Sequence, residues 1–248
     1  MIEFEDNFAE SPMSIKWTVD FLPGEVFRMC YPENFNAVSG SHPHFLVHCR
    51  KDLSFQWEFE KDRAEAFGSD PIGKIHLVLT ADEGERALRW TMSFENVSGE
   101  LLEKVSAFNC LNLCNTPLFR DLPLERTRVR NRSGDWVALK DVPKMLGADT
   151  NKQYYPCVGG IDLKVRMATS QTTGWGISPA VLSGDRIAVD SVDGKWTLES
   201  IVDGRVAYFF TNWEATDAGC IHAAPLFGDV QPGGKTTVEG RIQFVSRP

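Results

Sequence analysis

The sequence contains no apolar run near the roughly 20 residues that a membrane-spanning helix needs. Its first residues, MIEFEDNFAE, lack the basic start and apolar stretch of a secretory signal. Basic residues are also in deficit, because 26 lysines and arginines stand against 34 aspartates and glutamates, giving a net charge of −8. Nucleic-acid binding needs a basic face for the phosphates. We therefore expect no nucleic-acid partner and no membrane partner.

The six cysteines include no CxxC pair, so their spacing matches no recognised zinc signature. Without a signal peptide, reduced thiols in a cytoplasmic protein are the expectation. A mature secreted form, from which a signal has been removed, is the alternative. We expect no tightly bound transition metal and no cofactor.

Helical signals are few. The segment KDRAEAFG (61–68) predicts one or two helical turns that end at Gly68, and DVPKMLG (141–147) predicts another with Asp141 as N-cap. No long amphipathic helix, internal repeat, linker or low-complexity stretch divides the chain.

Strand signals are frequent. Apolar and polar residues alternate with period two in residues 53–59, 75–79, 88–94 and 238–244, which is typical of half-buried strands. Asp-Gly pairs at 193–194 and 203–204 favour type I′ turns, so residues 186–212 are predicted to form a three-stranded meander. The sequence therefore predicts a single all-β domain over residues 1–248, an antiparallel two-sheet sandwich with few short helices.

The segment FNCLNLCN (108–115) would place Phe108, Cys110, Asn112 and Cys114 on one face of a strand. Asn112 is a candidate for binding a ligand. The thiols have a simpler interpretation, because free cysteines are among the most buried residue types.

The segment GCIHAAPLFGDVQPGG (219–234) places Cys220 and His222 on one strand face. His222 is the candidate general acid/base, since the unperturbed pKa of histidine lies near neutrality. A half-buried structural histidine is an equal alternative. A metal site formed by Cys110, Cys114, Cys220 and His222 is a weaker hypothesis, given the absence of a zinc-type spacing.

Three of the five histidines, His42, His44 and His48, lie in GSHPHFLVHC (40–49). Their spacing is similar to the HxH motif of metal-binding cupins, but Pro43 would break the strand. Exposed loop histidines are the simpler interpretation, with His44 as a candidate ligand-binding residue.

Residues 125–132, ERTRVRNR, carry an arginine at every second position. On a strand these would form a ladder of guanidinium groups, of which Arg128 and Arg130 are candidates for holding an anionic sugar. A charged edge strand that resists aggregation is the alternative.

Trp213 differs from the other six tryptophans because it lies between Asn212 and Glu214 at the end of the predicted meander. An exposed ring there could stack on a sugar. A buried loop anchor is the alternative.

The runs RWTMSFENVSGELLEKVSAFNCLNL and DVQPGGKTTVEGRIQFV, within residues 88–113 and 228–245, resemble a recurring pattern in galactose-mutarotase-like β-sandwiches. The resemblance implies a small-molecule or oligosaccharide ligand bound in a concave sheet, with a histidine acid and a glutamate base. His222 is available for the acid. No glutamate aligns, and Gly234 stands where the "PGE" turn of that family has its glutamate.

The leading functional hypothesis is an enzyme that transfers protons on a sugar, of the epimerase or of the lyase or hydrolase type. Two alternatives stay open: a non-catalytic carbohydrate-binding module, and a metal-dependent cupin-like enzyme using the three clustered histidines.

Overall fold

The computed structural model describes residues 1–7, 11–38, 43–50, 53–145, 149–164, 175–214 and 218–247. Their regular structure is almost all strand, apart from a short 3-10 helix at Leu139–Asp141 and the two helical residues 163–164. No helix in this part of the chain is long and apolar enough to cross a membrane. The all-β prediction is confirmed.

The first sheet has eleven strands. The long strand β19 (Ala218–Val230) lies at its centre, and the others are grouped around it. The strands are β1 (Ile2–Asp6), β2 (Ser14–Val19), β3 (Phe27–Cys30), β4 (Phe35–Asn36), β5 (His44–Phe45), β10 (Leu102–Ala107), β11 (Cys110–Asn112), β14 (Asp149–Pro156), β15 (Trp175–Ile177), β18 (Val206–Glu214) and β19 (Ala218–Val230). One path runs β1-β2-β3-β11-β19-β10-β4-β5, while β18, β14 and β15 extend the sheet from the other edge of β19.

The second sheet has nine strands in the order β13-β12-β16-β17-β20-β9-β8-β7-β6. They are β6 (Ser54–Phe59), β7 (Arg63–Ser69), β8 (Gly73–Asp82), β9 (Ala87–Asn96), β12 (Thr127–Asn131), β13 (Trp136–Ala138), β16 (Leu182–Asp190), β17 (Trp196–Val202) and β20 (Lys235–Ser246). All pairings within it are antiparallel.

Aromatic side chains from both sheets meet in the core. Phe27 of the first sheet lies 5.3 Å from Phe244 of the second, measured between ring centroids. Phe35 of the first sheet lies 4.9 Å from Phe94 of the second. These contacts define the inner face of the first sheet. Because side chains alternate along a strand, the neighbours of these residues point to the opposite, outer face.

Two helix predictions are wrong. Residues 63–69 form β7 rather than a helix, because their small apolar residues Ala64, Ala66 and Gly68 alternate inward against the core. In 141–147, only Asp141 belongs to a helical turn, residues 142–145 are not helical, and 146–147 lie outside the described residues.

The predicted meander is only half correct. The Asp193-Gly194 turn joins β16 and β17 as a hairpin, as predicted. Gly194 alone has a positive φ there, +73°, and its N–H donates to the Ser191 carbonyl, so the turn is not type I′. The Asp203-Gly204 turn instead carries the chain from β17 in the second sheet to β18 in the first.

Candidate functional site

Two cross-strand rows of side chains lie on the outer face of the first sheet. The register pairs Ser14 with Cys30, Cys30 with Cys110, and His222 with Phe210. Leu111 pairs with Ile221, which sets Cys110 opposite His222. The first row is therefore Ser14, Cys30, Cys110, His222, Phe210 and Tyr154.

The second row contains the residue two positions away, on the same face, from each residue of the first row. It contains Lys16, Arg28, Asn112, Cys220, Asn212 and Lys152. This row is polar and partly exposed, apart from the buried Cys220. The outer face thus brings three cationic side chains, two amides and several thiols into one patch.

A cavity of about 170 Å³ opens over one end of these rows. We call it the Glu33 cavity. Its polar lining comes from both rows and from neighbouring loops, and includes Ser11, Ser14, Arg28, Cys30, Glu33, His48, Cys110 and Asn112.

Glu33 is the carboxyl group of this cavity. Burial raises its pKa to about 7, and a hydrogen bond with the Cys110 thiol acts in the opposite direction. The backbone N–H of His48 donates a hydrogen bond to the Glu33 backbone carbonyl oxygen at 2.8 Å, which holds the Glu33 backbone in place. A carboxyl group with such a pKa is present in both protonation states near neutral pH.

His48 also faces the Glu33 cavity. Its Nδ1 lies 3.1 Å from the Glu33 carbonyl oxygen. A carbonyl oxygen only accepts hydrogen bonds, so the neutral ring carries its hydrogen on Nδ1 and leaves Nε2 as an acceptor. Burial lowers the pKa of His48, and the same hydrogen bond partly offsets this effect.

His222 is buried, with 1% of its surface exposed. Its ring stacks on Phe108 at a centroid distance of 4.2 Å and meets Phe210 edge-on at 5.0 Å. Burial lowers the pKa of His222 to about 3, and the nearby backbone of Asn109 offsets this only partly. The ring is therefore neutral at physiological pH. Neither ring nitrogen makes a hydrogen bond of good geometry to a described residue.

Three potential metal ligands lie together beside the cavity. The Cys110 and Cys220 sulfurs and a His222 ring nitrogen are all within 4.8 Å of one another, and all three residues are buried. A hydrogen bond with Cys220, together with burial, raises the pKa of the Cys110 thiol well above its ordinary value. Cys114, the fourth ligand considered from the sequence, is not part of this group.

Of the other residues singled out in the sequence, Asn112 lies at the candidate site. It lines the cavity, and its side-chain oxygen accepts a hydrogen bond from the Cys114 N–H at 2.9 Å. His44 lies on β5, at the far end of the first sheet, and does not line the cavity. His42 lies outside the described residues.

The arginine ladder lies in the other sheet. Arg128 and Arg130 are on β12, and Arg128 forms an ion pair with Asp190 at 2.6 Å. Arg130 donates to the Gly134 carbonyl at 2.8 Å. Both guanidinium groups also lie over the Trp136 ring, at 5.3 and 4.8 Å. The structure therefore does not bring them together with His222.

Trp213 is not an exposed loop residue. It lies in β18 with 1% of its surface exposed, and its ring occupies the space beside Gly219 on the neighbouring strand. The expectation of an exposed stacking ring is wrong. Side chains alternate between the two faces of β18, and the Trp213 ring points to the inner face, where it packs in the core.

Sequence reasoning missed Glu33 and Arg28, which no local motif marks. Glu33 lies in the loop that follows β3, and Arg28 alternates with core residues on β3. Their importance comes from strand pairing, which brings Arg28 opposite Asn112, more than eighty residues away in the chain.

No protein-family model matches the sequence, and no curated protein is significantly similar to it. Among solved structures, the chain resembles the Slr1438 protein of Synechocystis sp. PCC 6803, with a TM-score of 0.55, 10% identity, and 100% and 96% of the two chains covered.

Two further solved structures are similar with TM-scores just below 0.5. One is a galactose mutarotase-like protein from Clostridium acetobutylicum, with a TM-score of 0.48, 9% identity, and coverage of 100% and 99%. The other is a putative aldose 1-epimerase from Escherichia coli K12, with a TM-score of 0.49, 12% identity, and the same coverage. Similarity this distant says nothing about activity. The likeness to Slr1438 shows that the chain shares its fold, which here is a two-sheet β-sandwich.

Proposed function

We propose that this protein binds a small sugar in the Glu33 cavity and transfers protons on it, as an epimerase of the mutarotase type. The observation that carries the proposal is the position of the Glu33 carboxyl group in a small polar cavity on the outer face of a β-sandwich sheet. The resemblance of residues 88–113 and 228–245 to galactose-mutarotase-like proteins supports the same class of ligand.

The size of the cavity favours a monosaccharide. About 170 Å³ is well below the roughly 300–1,000 Å³ of sites for drug-sized ligands. Its lining is rich in groups that hydrogen-bond hydroxyls. Arg28 donates, whereas Ser14 and Asn112 can both donate and accept. These groups would hold the ring while leaving Glu33 near the reacting carbon.

Glu33 and His48 form the proton-transfer pair of the proposal. Opening a cyclic aldose requires removal of the anomeric hydroxyl proton and protonation of the ring oxygen. In the tautomer described above, His48 Nε2 accepts a proton while protonated Glu33 donates one. Closing the ring on the opposite face of the carbonyl reverses both transfers, so the other anomer forms and both groups return to their starting state.

His222 does not transfer a proton in this proposal. Its ring is buried among aromatic side chains and stays neutral, so it is poorly suited to donating protons at neutral pH. Arg128, Arg130, Trp213 and His44 lie away from the cavity and have no part in the proposed reaction.

The test is the exchange between α and β anomers of a panel of aldoses and uronic acids, measured by NMR magnetisation transfer. Glu33→Gln should keep the fold and reduce catalysed exchange by about 10²–10⁴-fold. Glu239→Gln, an exposed glutamate on β20 in the second sheet, is the matched control and should leave the rate unchanged.

Two outcomes would contradict the enzymatic proposal. A folded Glu33→Gln variant with full activity would remove Glu33 from the mechanism. Sugar binding in the cavity without any catalysed exchange would make the protein a carbohydrate-binding module.

A further inference from the structure

The outer face of the first sheet carries a buried cluster of two thiols and an imidazole. We propose that Cys110, Cys220 and His222 bind one transition-metal ion of the zinc type. Cys110 on β11 lies opposite His222 on β19, and Cys220 lies two residues before His222 on the same face. Their ligand atoms lie within 4.8 Å of one another.

The unsatisfied ring of His222 independently indicates a ligand. Both of its nitrogens are buried and lack a hydrogen-bond partner of good geometry among the described residues. A neutral imidazole needs one donor and one acceptor partner, and leaving such groups unpaired in the interior costs free energy. A metal ion would bind the lone pair of the unprotonated ring nitrogen, to which no described residue donates a hydrogen bond.

The donor types define the class of ion. Two thiolates and one imidazole favour Zn²⁺ over Mg²⁺ or Ca²⁺, which prefer oxygen ligands. Tetrahedral bonds of about 2.3 Å to sulfur and about 2.0–2.1 Å to nitrogen place ligand atoms roughly 3.4–3.8 Å apart. The ligand atoms now lie within 4.8 Å of one another, and small rotations of the three side chains would bring them to these distances. Binding converts both thiols to thiolates, and their two protons pass to solvent.

The position of the cluster connects it to the Glu33 cavity. Cys110 lines that cavity as well as belonging to the cluster. Three protein ligands leave a fourth position, which a water molecule or a sugar hydroxyl from the cavity could occupy, as in catalytic zinc sites. The sequence predicted no metal because it contains no CxxC pair. Cys110 and Cys220 are 110 residues apart, and strand pairing brings them together.

The experiment is a metal titration of protein freed of metal with a chelator. Zn²⁺ should bind in a 1:1 ratio, measured by competition with a chromophoric chelator. Co²⁺ should give the near-ultraviolet charge-transfer band of thiolate ligation. Loss of a residue that only supports a metal ligand typically lowers metal affinity by about 10–100-fold. Cys220→Ser and His222→Gln remove direct ligands, so each should weaken Zn²⁺ binding by at least about 10-fold.

Cys157→Ser is the matched control, since Cys157 is a buried thiol outside the cluster whose Sγ lies 3.8 Å from the Gly184 carbonyl oxygen. It should bind Zn²⁺ like the native protein. At a fixed Zn²⁺ concentration, the thermal midpoint should rise more for the native protein than for the folded His222→Gln variant, because the variant binds Zn²⁺ more weakly.

Failure to bind one equivalent of Zn²⁺ would overturn the proposal. So would a Co²⁺ spectrum without the thiolate band, or equal loss of affinity in the Cys157→Ser control. None of these readouts involves a sugar, so they leave the Glu33→Gln test of the proposed function unaffected.

Discussion

Glu25 is a carboxyl group outside the candidate site, and its surroundings in the fold change its pKa. Its side chain is buried, and one carboxylate oxygen accepts a hydrogen bond from the Leu118 N–H at 3.2 Å. Burial raises the pKa of Glu25, with that hydrogen bond acting against the shift. The folded protein therefore holds this proton to higher pH than the unfolded chain does.

This shift predicts a pH-dependent stability difference. A carboxyl group with a raised folded pKa lowers the free energy of unfolding as pH rises above its unfolded pKa of about 4.3. Glu25→Gln, which cannot ionise and keeps an acceptor for Leu118, should therefore stabilise the protein at pH 7. The gain should shrink towards pH 4. Urea unfolding at both pH values measures it, and an equal effect at the two would contradict the assignment to Glu25.

At the scale of the element, the two Asp-Gly turns show which features of a strand connection local sequence specifies and which it does not. Both follow directly after a strand, yet one closes a hairpin and the other leads the chain into the other sheet. Gly194 has φ of +73° and Gly204 has φ of +155°, so the same dipeptide adopts different conformations. Turn chemistry fixes where a strand ends, but packing decides which sheet receives the next strand.

Strand β20 contains a close approach that only glycine allows. A Cβ atom on Gly240 would lie 2.2 Å from the Ile201 carbonyl oxygen and 2.3 Å from the Trp90 ring. Gly240→Ala should therefore destabilise the protein by about 1–3 kcal/mol through overpacking. Gly99→Ala is the control, because nothing lies within 4 Å of its Cβ position. Chemical denaturation compares the two, and similar effects at both positions would contradict the prediction.

At the scale of the whole molecule, the sandwich depends on aromatic contacts between the sheets. Phe244 of β20 lies 5.3 Å from both Phe21 and Phe27, 5.9 Å from Trp17 and 6.1 Å from Phe119, measured between ring centroids. Removing it would leave a cavity where several neighbouring rings meet.

Phe244→Ala should therefore lower the free energy of unfolding by about 3–5 kcal/mol. Val245→Ala, on the next residue with 39% of its surface exposed, should change it by no more than about 0.5 kcal/mol. Calorimetry or urea unfolding gives both values. A small effect at Phe244 would mean that the two sheets are held together mainly by other contacts.

The sequence by itself determined the strands whose faces alternate regularly. Residues 75–79, 88–94 and 238–244 alternate as predicted, because one side of each is buried in the core and the other faces water. The resemblance within residues 88–113 and 228–245 likewise anticipated the sandwich fold. These features are encoded locally, in the order of residues along single strands.

Only the tertiary structure decided where the candidate site lies. Glu33, Arg28 and Asn112 share a cavity because β3 pairs with β11, and Cys110 lies beside Cys220 and His222 because β11 pairs with β19. The Arg128 and Arg130 ladder shows the reverse, a conspicuous local pattern that the fold places in the opposite sheet. Pairing between distant strands depends on the packing of the whole chain, so the spacing of residues along one segment could not reveal it.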